Sequence, residues 1–419
     1  MASAGAPRLV MKFGGTSVAD LSRIENAARK VAAEVERGYD VAVIVSAMSG
    51  ETNRLVGYVR ETTALYDARE YDTVVSAGEQ VTSGLMALTL QNLGVPARSW
   101  QGWQIPIHTT EAHGAARIEA IETEALTRKF NEGLHAVIAG FQGLAPDGRV
   151  ATLGRGGSDT SAVAIAAALG AVRCDIYTDV DGVYTTDPRL EESARKIDRI
   201  AFEEMLELAS LGAKVLQTRS VELAMRYRVP LQVLSSFGNS VGSDLCGTLV
   251  CDESEILESA VESKVVSGVA FSRDEAKITL QRVADVPGVA ALIFGPLAEA
   301  SVNVDMIVQN ISDDGRTDMT FTVGLADFDR AIATIEGARD QIRYENIVAD
   351  RNVAKVSVVG IGMRSHTGVA QKMFQALADE RINIQVITTS EIKVSVLIER
   401  KYMELAVQAL HATFGLQTA

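Results

Sequence analysis

Short runs of β-branched and apolar residues alternate with helical patterns through the first 250 residues, and this alternation constrains the fold most strongly. The runs predict four strands, over Leu9–Phe13, Val41–Ser46, Ala136–Phe141 and Asp175–Thr178. The intervening patterns predict helices over Ser22–Arg37, Val74–Leu93, Ser158–Leu169 and Phe202–Ala209. Strands that alternate with helices pair in parallel, and the helices then cover the sheet. We therefore expect residues 1–250 to form one α/β domain around a mainly parallel sheet.

An internal repeat marks the C-terminal part of the chain. Residues 288–307 match residues 368–387 without a gap, with eight identities in twenty positions. Each copy reads as a strand, a glycine-containing turn, a helix and two further strands, which predicts small βαββ units at 265–340 and 345–411. Units of this size bury little core alone, so pairing the copies side by side would help both. A purely structural duplication without a ligand stays an alternative.

Composition excludes several classes of function. The chain has 40 Lys and Arg against 54 Asp and Glu, giving a net charge of −14, without a basic run. Such a surface disfavours nucleic acid and anionic lipid. The three cysteines are too few for a disulfide framework and lack the ligand spacing of a zinc site. A signal core and a membrane-length apolar stretch are both missing from the sequence, so we expect a cytoplasmic protein.

A glycine-rich turn follows the first predicted strand directly, at residues 12–17. Gly14 and Gly15 lack a Cβ, so the backbone N–H groups here can approach an anion closely. Lys12 can add a positive charge at the same place. The alternative is a tight strand-to-helix turn with a surface lysine.

A second glycine-rich turn, at residues 153–161, precedes an alanine-rich helix. The N–H groups and dipole of a helix start favour a negative group. Arg155 offers a planar guanidinium suited to a carboxylate or phosphate. A structural turn capped by Ser158 would explain the glycines at 156 and 157, but it would not explain the arginine among them.

Other polar segments add candidate ligands, although no common nucleotide or hydrolase motif is present. Neither turn matches the Walker A or dinucleotide-binding pattern, and no Gly-x-Ser-x-Gly sequence occurs. Glu79 opens a predicted helix, where it can bind an ammonium group or simply favour the helix dipole. Residues 177–189 supply acidic, aromatic and basic groups that suit a nucleotide. Lys214 is a second candidate lysine, and it follows a predicted helix.

Together these segments resemble the aspartate kinases of the amino acid kinase superfamily. The resemblance rests on KFGGTS at 12–17, IVSAMSGETNRL at 44–55, SAGEQ at 76–80, TLGRGGSDTSA at 152–162, YTDVDGVYTTDPR at 177–189 and GAKVL at 212–216. The C-terminal repeat resembles paired ACT domains, which sense amino acids in this family. The resemblance implies a three-layer α/β/α kinase domain followed by two ferredoxin-like ACT domains.

The resemblance also implies a reaction, the transfer of the ATP γ-phosphoryl group to the β-carboxylate of L-aspartate. It implies an ATP site, with Mg²⁺ bound mainly through the phosphates, formed by Lys12, Gly14, Gly15, Ser46, Thr178, Asp179, Tyr184, Arg189 and Lys214. It implies an aspartate site formed by Thr52, Glu79, Arg155, Gly156, Gly157 and Ser158. The implied catalytic residues are Lys12 and Lys214, which contact phosphates, and Glu79, which binds the substrate amine.

This reaction agrees with the chemistry of the residues present. A carboxylate acceptor is already ionised at neutral pH, so it needs no general base, and no catalytic histidine is expected. The main obstacle is repulsion between two anions. Lysines, glycine-turn amides and Mg²⁺ reduce that repulsion.

For the C-terminal repeat, the resemblance implies feedback inhibition by lysine and threonine, end products of a pathway that this enzyme would begin and that also yields methionine. The implied effector residues are Asp285, Gly288, Val289, Ala290, Asn303 and Gln309 in the first copy, and Met363, Ser365, Gly368, Val369, Asn383 and Ile384 in the second. The ACT domains would also join subunits, in a homo-oligomer or an α2β2 assembly. By the same resemblance, residues 412–419 are expected to return to the first ACT domain and complete it.

The sequence departs from the family pattern at one place, and it leaves two alternative functions open. Many relatives continue GAKVL with His-Pro-Arg, whereas this chain has Gln217-Thr218-Arg219, so position 217 receives no role. Another amino acid kinase, such as glutamate or acetylglutamate kinase, would be expected to lack SAGEQ together with a paired ACT repeat. A catalytically silent amino-acid sensor would not need to retain Lys12, Glu79, Arg155 and Lys214.

Overall fold

The computed structural model describes residues 6–211, 215–257, 265–311 and 315–417. These residues divide into two compact units. The first unit comprises 6–183, 196–210 and 215–257, and the second comprises 184–195, 211, 265–311 and 315–417. No helix in the described ranges is both long and apolar enough to cross a membrane.

The first unit contains twelve strands and nine helices among its described residues. The strands are β1 (Arg8–Phe13), β2 (Asp40–Val45), β3 (Ala97–Trp100), β4 (Ile107–Thr109), β5 (Ile118–Ile121), β6 (His135–Ala139), β7 (Gln142–Leu144), β8 (Val150–Thr152), β9 (Arg173–Thr178), β10 (Arg199–Ala201), β11 (Leu231–Ser235) and β12 (Thr248–Cys251). The helices are α1 (Leu21–Glu36), α2 (Glu51–Thr62), α3 (Ala68–Val75), α4 (Ala77–Asn92), α5 (Glu124–Asn131), α6 (Gly157–Leu169), α7 (Phe202–Ser210), α8 (Thr218–Tyr227) and α9 (Glu253–Leu257).

Eight strands of the first unit form one sheet, in the order β10, β12, β11, β9, β1, β2, β6, β3. All neighbours are parallel except β11 and β12, which confirms the predicted α/β class. The central strand β1 lies between β2 and β9, with Lys12 level with Ile44 and Ile176. The carboxyl ends of these three strands therefore meet at one edge, where ligands bind in parallel sheets.

Two features of this unit differ from the sequence-based expectation. Strands β4, β5, β7 and β8 form a separate small sheet, and their length of three or four residues gives little periodicity to detect. The single helix predicted over Val74–Leu93 is wrong, because the chain forms two helices there, which meet at Ser76. The break places Glu79 in the first turn of α4.

The second unit contains six strands and five helices in its described part. These are β13 (Gly268–Ala284), α10 (Val289–Glu299), β14 (Val304–Ile311), β15 (Arg316–Gly324), α11 (Phe328–Gly337), α12 (Arg339–Ile342), β16 (Asn346–Val359), α13 (Val369–Asp379), β17 (Ile384–Thr389), β18 (Lys393–Glu399) and α14 (Met403–Thr413). The strands form one antiparallel sheet in the order β14, β15, β13, β16, β18, β17. The two copies of the repeat therefore lie side by side in a single sheet.

The long strands β13 and β16 join the two copies more closely than two separate βαββ units would. Residues 268–272 pair with 355–359, in the second copy's half of the sheet. Residues 412–417 finish α14 and the turn after it, and Leu416 packs in the core of the second copy, with Val269 and Met403. The structure thus differs from the expectation that the C-terminal residues complete the first copy. The repeat signal begins only at residue 288, so it could not reveal how far the strand before it extends or what that strand pairs with.

Candidate active site

Lys12 and Asp159 join the two glycine-rich turns of the sequence. Lys12 is the penultimate residue of β1, and Asp159 lies in the first turn of α6. The Lys12 Nζ atom is 2.5 Å from Oδ1 of Asp159, and both side chains are almost fully buried. A buried charge is tolerated when it has such a partner. The pair therefore fixes a cation at the carboxyl edge of the sheet.

The turn after β1 is anchored to the end of β9. The Gly14 N–H donates a hydrogen bond to the Tyr177 carbonyl, with N and O 3.3 Å apart, and the Ser17 hydroxyl donates to the same oxygen over 3.2 Å. The Phe13 ring stacks on the Tyr177 ring, with centroids 4.7 Å apart. A short 3₁₀ helix, Gly15–Val18, follows. The turn therefore has a defined position next to β9.

Three other predicted nucleotide residues lie at the same edge of the sheet. Ser46 directly follows β2, and its N–H donates to the Phe13 carbonyl over 3.1 Å. Thr178 ends β9, and its carbonyl accepts from both the N–H and the hydroxyl of Ser236, over 2.8 and 2.9 Å. The Thr178 hydroxyl donates to Oδ1 of the exposed Asp179 over 3.2 Å. The structure therefore brings these residues to the edge that holds Lys12.

Glu79 presents a buried carboxylate with one unused oxygen. Its Oε1 atom accepts a hydrogen bond from the Ala47 N–H over 3.0 Å, whereas Oε2 has no hydrogen-bond partner among the described residues. Burial raises the pKa of Glu79 to about 7, although the Ala47 bond opposes this shift. An unsatisfied buried carboxylate is costly to keep, and perturbed carboxylates cluster at functional sites. Glu79 is therefore arranged to receive a cationic or donor group.

Gly78 allows Glu79 to reach this position. A Cβ atom at residue 78 would lie 2.7 Å from the Cβ of Ala47, closer than two carbon atoms can approach. The glycine thus lets α4 pack directly on the segment after β2, where Glu79 meets the Ala47 amide. Sequence reasoning identified Glu79 but missed Gly78. The available signal was a glycine in the first turn of a helix, where it is otherwise unfavourable.

The turn before α6 exposes Arg155 to solvent. Arg155 lies between Gly154 and Gly156, which have φ angles of +76° and +68° in the left-handed region that favours glycine. The space beside Gly156 is filled by the Gln217 side chain, which would overlap any Cβ there. Arg155 forms no ion pair within the described part of the chain. Its guanidinium is therefore available to an anionic ligand.

The other predicted aspartate residues lie at the starts of two helices, α6 and α2. Gly157 is the first residue of α6, and the buried Ser158 follows it. Thr52 is half-buried in the first turn of α2. Asp159 was part of the sequence motif but received no role, because nothing in the sequence shows which side chain it would face.

Three predicted nucleotide residues lie outside the described part of the first unit. Tyr184 and Arg189 belong to the second unit, where Nη2 of Arg189 lies 2.7 Å from Oδ2 of Asp187. Lys214 lies outside the described residues. In the ranges that the structure describes, no group of three or more His, Cys, Asp or Glu side chains could hold a metal ion.

The predicted effector residues occupy equivalent places in the two copies of the repeat. Gly288 and Gly368 precede α10 and α13, and Asn303 and Asn383 are exposed just before β14 and β17. Val289 and Ala290 begin α10, Val369 begins α13, and Ile384 begins β17, while Met363 and Ser365 lie in the 3₁₀ helix before α13. In the first copy, the Gln309 amide donates to Oδ1 of Asp285 over 3.4 Å.

Comparison with known proteins agrees with both units. The amino acid kinase family model matches residues 7–235, and the ACT domain model matches 281–338 and 356–414. The chain is 54% identical to an aspartokinase of Pseudomonas aeruginosa over 97% of each chain. It is 48% identical to an aspartokinase of Helicobacter pylori over 97% of this chain and 99% of that one.

Solved structures give the same result. The aspartokinase III of E. coli, in complex with aspartate and ADP, is 27% identical and matches with a TM-score of 0.77 over 97% of this chain and 99% of that one. The same enzyme in complex with lysine and aspartate matches with 28% identity, a TM-score of 0.75 and the same coverage. The family resemblance inferred from the motifs is thereby confirmed. The chain belongs to the amino acid kinase family and, within it, to the aspartate kinases that carry C-terminal ACT domains.

Proposed function

We propose that the chain transfers the γ-phosphoryl group of ATP to the β-carboxylate of L-aspartate at the edge formed by β1, β2 and β9, giving 4-phospho-L-aspartate. One observation carries this assignment of the site. The buried carboxylate of Glu79 has one oxygen without a hydrogen-bond partner in the described chain. Its other oxygen accepts from Ala47, on the segment that follows β2, and β2 is paired with the strand that carries Lys12. The aspartate and ADP complex of the E. coli relative supports it.

Aspartate recognition needs one anionic and one cationic partner. In our proposal Glu79 binds the substrate ammonium, because its Oε2 atom can accept a charge-assisted hydrogen bond. Arg155 binds a substrate carboxylate through its planar guanidinium. Thr52 and the residues 156–158 line the same substrate. This arrangement leaves the β-carboxylate as the nucleophile.

Phosphoryl transfer needs neutralisation of charge rather than a base. Lys12 supplies a fixed positive charge, and Asp159 holds its ammonium in place. When bound, Mg²⁺ neutralises phosphate charge and aligns the phosphates, and it takes most of its ligands from phosphate and water. Asp179 is an exposed carboxylate at this edge that suits such an ion. Gly14, Gly15, Ser46 and Thr178 complete our proposed nucleotide contacts, with Lys214, Tyr184 and Arg189 added from the family pattern.

We further propose that lysine and threonine inhibit the enzyme through the ACT domains. The lysine complex of the E. coli relative supports the first effector, and the duplicated helix starts after Gly288 and Gly368 support two sites. A helix start presents N–H groups to an α-carboxylate. The reaction would then be the first step toward lysine, threonine and methionine, in the cytoplasm, with subunits joined through the ACT domains at 265–340 and 345–411.

Product formation by the purified chain tests this function. Acyl phosphates react with hydroxylamine to give hydroxamates. With ATP, Mg²⁺ and hydroxylamine, the chain should therefore form a hydroxamate from L-aspartate and little from L-glutamate or N-acetyl-L-glutamate. The Glu79→Gln variant is the matched control, because it keeps the shape of the side chain and removes its charge. A preference for either glutamate substrate, or full aspartate activity in Glu79→Gln, would refute the proposed site.

A further inference from the structure

A buried carboxylate attaches helix α3 to the end of strand β8. Asp72, in α3, and Thr152, the last residue of β8, are both fully buried. The Thr152 N–H donates to Oδ2 of Asp72 over 2.9 Å, and the Thr152 hydroxyl donates to Oδ1 over 2.5 Å. The Gly114 N–H donates to the same carboxylate over 3.0 Å, and Nδ1 of His113 lies 2.8 Å from its Oδ2 atom. Such partners make a buried carboxylate tolerable, and none of the functions proposed so far uses this one.

A second bond joins the same two parts of the first unit. Helices α3 and α4 meet at Ser76, whose carbonyl accepts a hydrogen bond from the Gln142 side-chain amide over 3.1 Å. Gln142 begins β7 and is paired with Thr152 across the antiparallel β7–β8 ladder. Both partners of this bond are buried. The junction of α3 and α4 is therefore fixed at two points to one end of a single ladder.

The two attached residues lead directly to the two side chains that we assign to aspartate recognition. Glu79 follows Ser76 by three residues, and Arg155 follows Thr152 by three residues. Three residues span at most about 11 Å even when fully extended. Each recognition residue therefore lies a short stretch of chain away from the same ladder end.

The turn that carries Arg155 has further support from the same region. The Arg219 guanidinium donates to the Leu153 carbonyl through Nη1 and to the Ala116 carbonyl through Nη2, both over 2.9 Å. A Cβ atom at Gly154 would lie 3.2 Å from the Gly114 carbonyl oxygen. The glycine-rich turn is therefore packed against the segment that the buried carboxylate holds.

We propose that Asp72 and Thr152 are positioning residues for L-aspartate, which hold the Glu79 carboxylate and the Arg155 guanidinium at the separation that one α-amino acid requires. The inference rests on the proposed function, since that function assigns the substrate ammonium to Glu79 and a substrate carboxylate to Arg155. The ammonium and α-carboxylate of an amino acid are bonded to one carbon atom, so their two partners must keep a fixed distance. The proposed nucleotide contacts of Lys12 and its turn do not depend on this attachment.

The first test is Asp72→Asn in the full chain, which keeps the shape of the side chain and replaces one acceptor oxygen by a donor. We expect the KM for aspartate to rise at least about tenfold, with the Kd of a non-hydrolysable ATP analogue and Mg²⁺ within about twofold of the wild type. The matched control is Glu34→Gln. Glu34 is also a fully buried carboxylate, and it accepts the N–H and the hydroxyl of Ser243 over 2.8 and 2.6 Å. This control should lower the melting temperature and leave the aspartate KM unchanged.

The second test uses the other partner of the bond and does not depend on whether Asp72→Asn folds. Thr152→Val removes the hydroxyl and should raise the aspartate KM about tenfold, whereas Thr152→Ser keeps the hydroxyl and should behave like the wild type. In an Arg155→Ala background there is no separation left to maintain, so Thr152→Val should then change the KM by less than about twofold. A purely structural role would instead give the same loss in both backgrounds.

Three results would overturn the inference: an unchanged aspartate KM in Thr152→Val, an equal loss of ATP-analogue and aspartate affinity, or a full additional loss from Thr152→Val in the Arg155→Ala background. The proposed function is tested separately on the wild type. A wild-type chain that forms no hydroxamate from aspartate would refute that function, whereas an active wild type with any of these three results would refute only the positioning role.

Discussion

The Lys12 ammonium and the Asp159 carboxylate lie 2.5 Å apart, at the end of β1 and the start of α6. This ion pair connects two glycine-rich turns that are far apart in the sequence. It also gives this edge of the sheet a cation whose charge is already balanced. In our proposal, a bound triphosphate meets a lysine that the aspartate holds in place.

Replacement of Lys12 by alanine should reduce turnover about 10²–10³-fold at saturating ATP and aspartate, because the transition state loses one positioned positive charge. The hydroxamate assay measures this directly. Asp159→Asn is the matched comparison, since it keeps Lys12 and removes its anchor, and we expect a smaller loss of turnover. Lys12→Ala turnover within about threefold of the wild type would remove Lys12 from the mechanism.

Replacement of Arg155 by alanine should raise the KM for aspartate at least tenfold and leave ATP-analogue affinity near the wild-type value, because the proposed partner is a substrate carboxylate. Arg155→Lys keeps the charge but loses the planar pair of donors, so its KM for aspartate should lie between those of the wild type and Arg155→Ala. Steady-state kinetics and calorimetry provide the two readouts. A loss confined to nucleotide affinity would show that Arg155 binds phosphate instead.

Replacement of Gly78 by alanine should weaken aspartate binding indirectly, by displacing Glu79. The added Cβ must displace Ala47 or shift α4, which moves the Glu79 carboxylate from the Ala47 amide. Overpacking of this kind costs about 1–3 kcal/mol. We expect a lower melting temperature and a raised aspartate KM. Gly84→Ala, in the same helix, is the control, because its added Cβ would meet nothing nearby.

The sequence allowed the class of the fold to be predicted, and it identified most residues of the site that we propose in the first unit, because buried parallel strands and glycine-rich turns leave local signals. Glu79 and Arg155 were found in this way. The Lys12–Asp159 pair was not, since it depends on how two distant turns meet. The attachment of Thr152 to Asp72 was equally invisible, because only tertiary packing brings these residues together. The shared strands β13 and β16 lay outside the detected repeat.

Substitutions at the proposed effector residues should separate regulation from catalysis. In the first copy, Asp285→Ala or Asn303→Ala should weaken inhibition by lysine plus threonine and leave uninhibited turnover within about twofold of the wild type, since both residues lie in the second unit. The wild type should be inhibited more by both amino acids together than by the product of their separate effects. Absence of inhibition at millimolar concentrations, or loss of basal turnover in either variant, would contradict the sensor role.

The pH dependence of aspartate binding tests the central claim, that Glu79 receives the substrate ammonium. Burial raises the pKa of Glu79 to about 7, so the free carboxyl is largely protonated below that pH and ionised above it. Only the ionised form attracts an ammonium. Aspartate affinity should therefore rise as the pH increases through about 7 and then level off, and it should fall about tenfold for each pH unit below about 7. Calorimetry between about pH 6 and about pH 8 should show this rise in the wild type, and weak, pH-independent binding in Glu79→Gln. Wild-type affinity that is flat across this range, or retained in Glu79→Gln, would contradict the account.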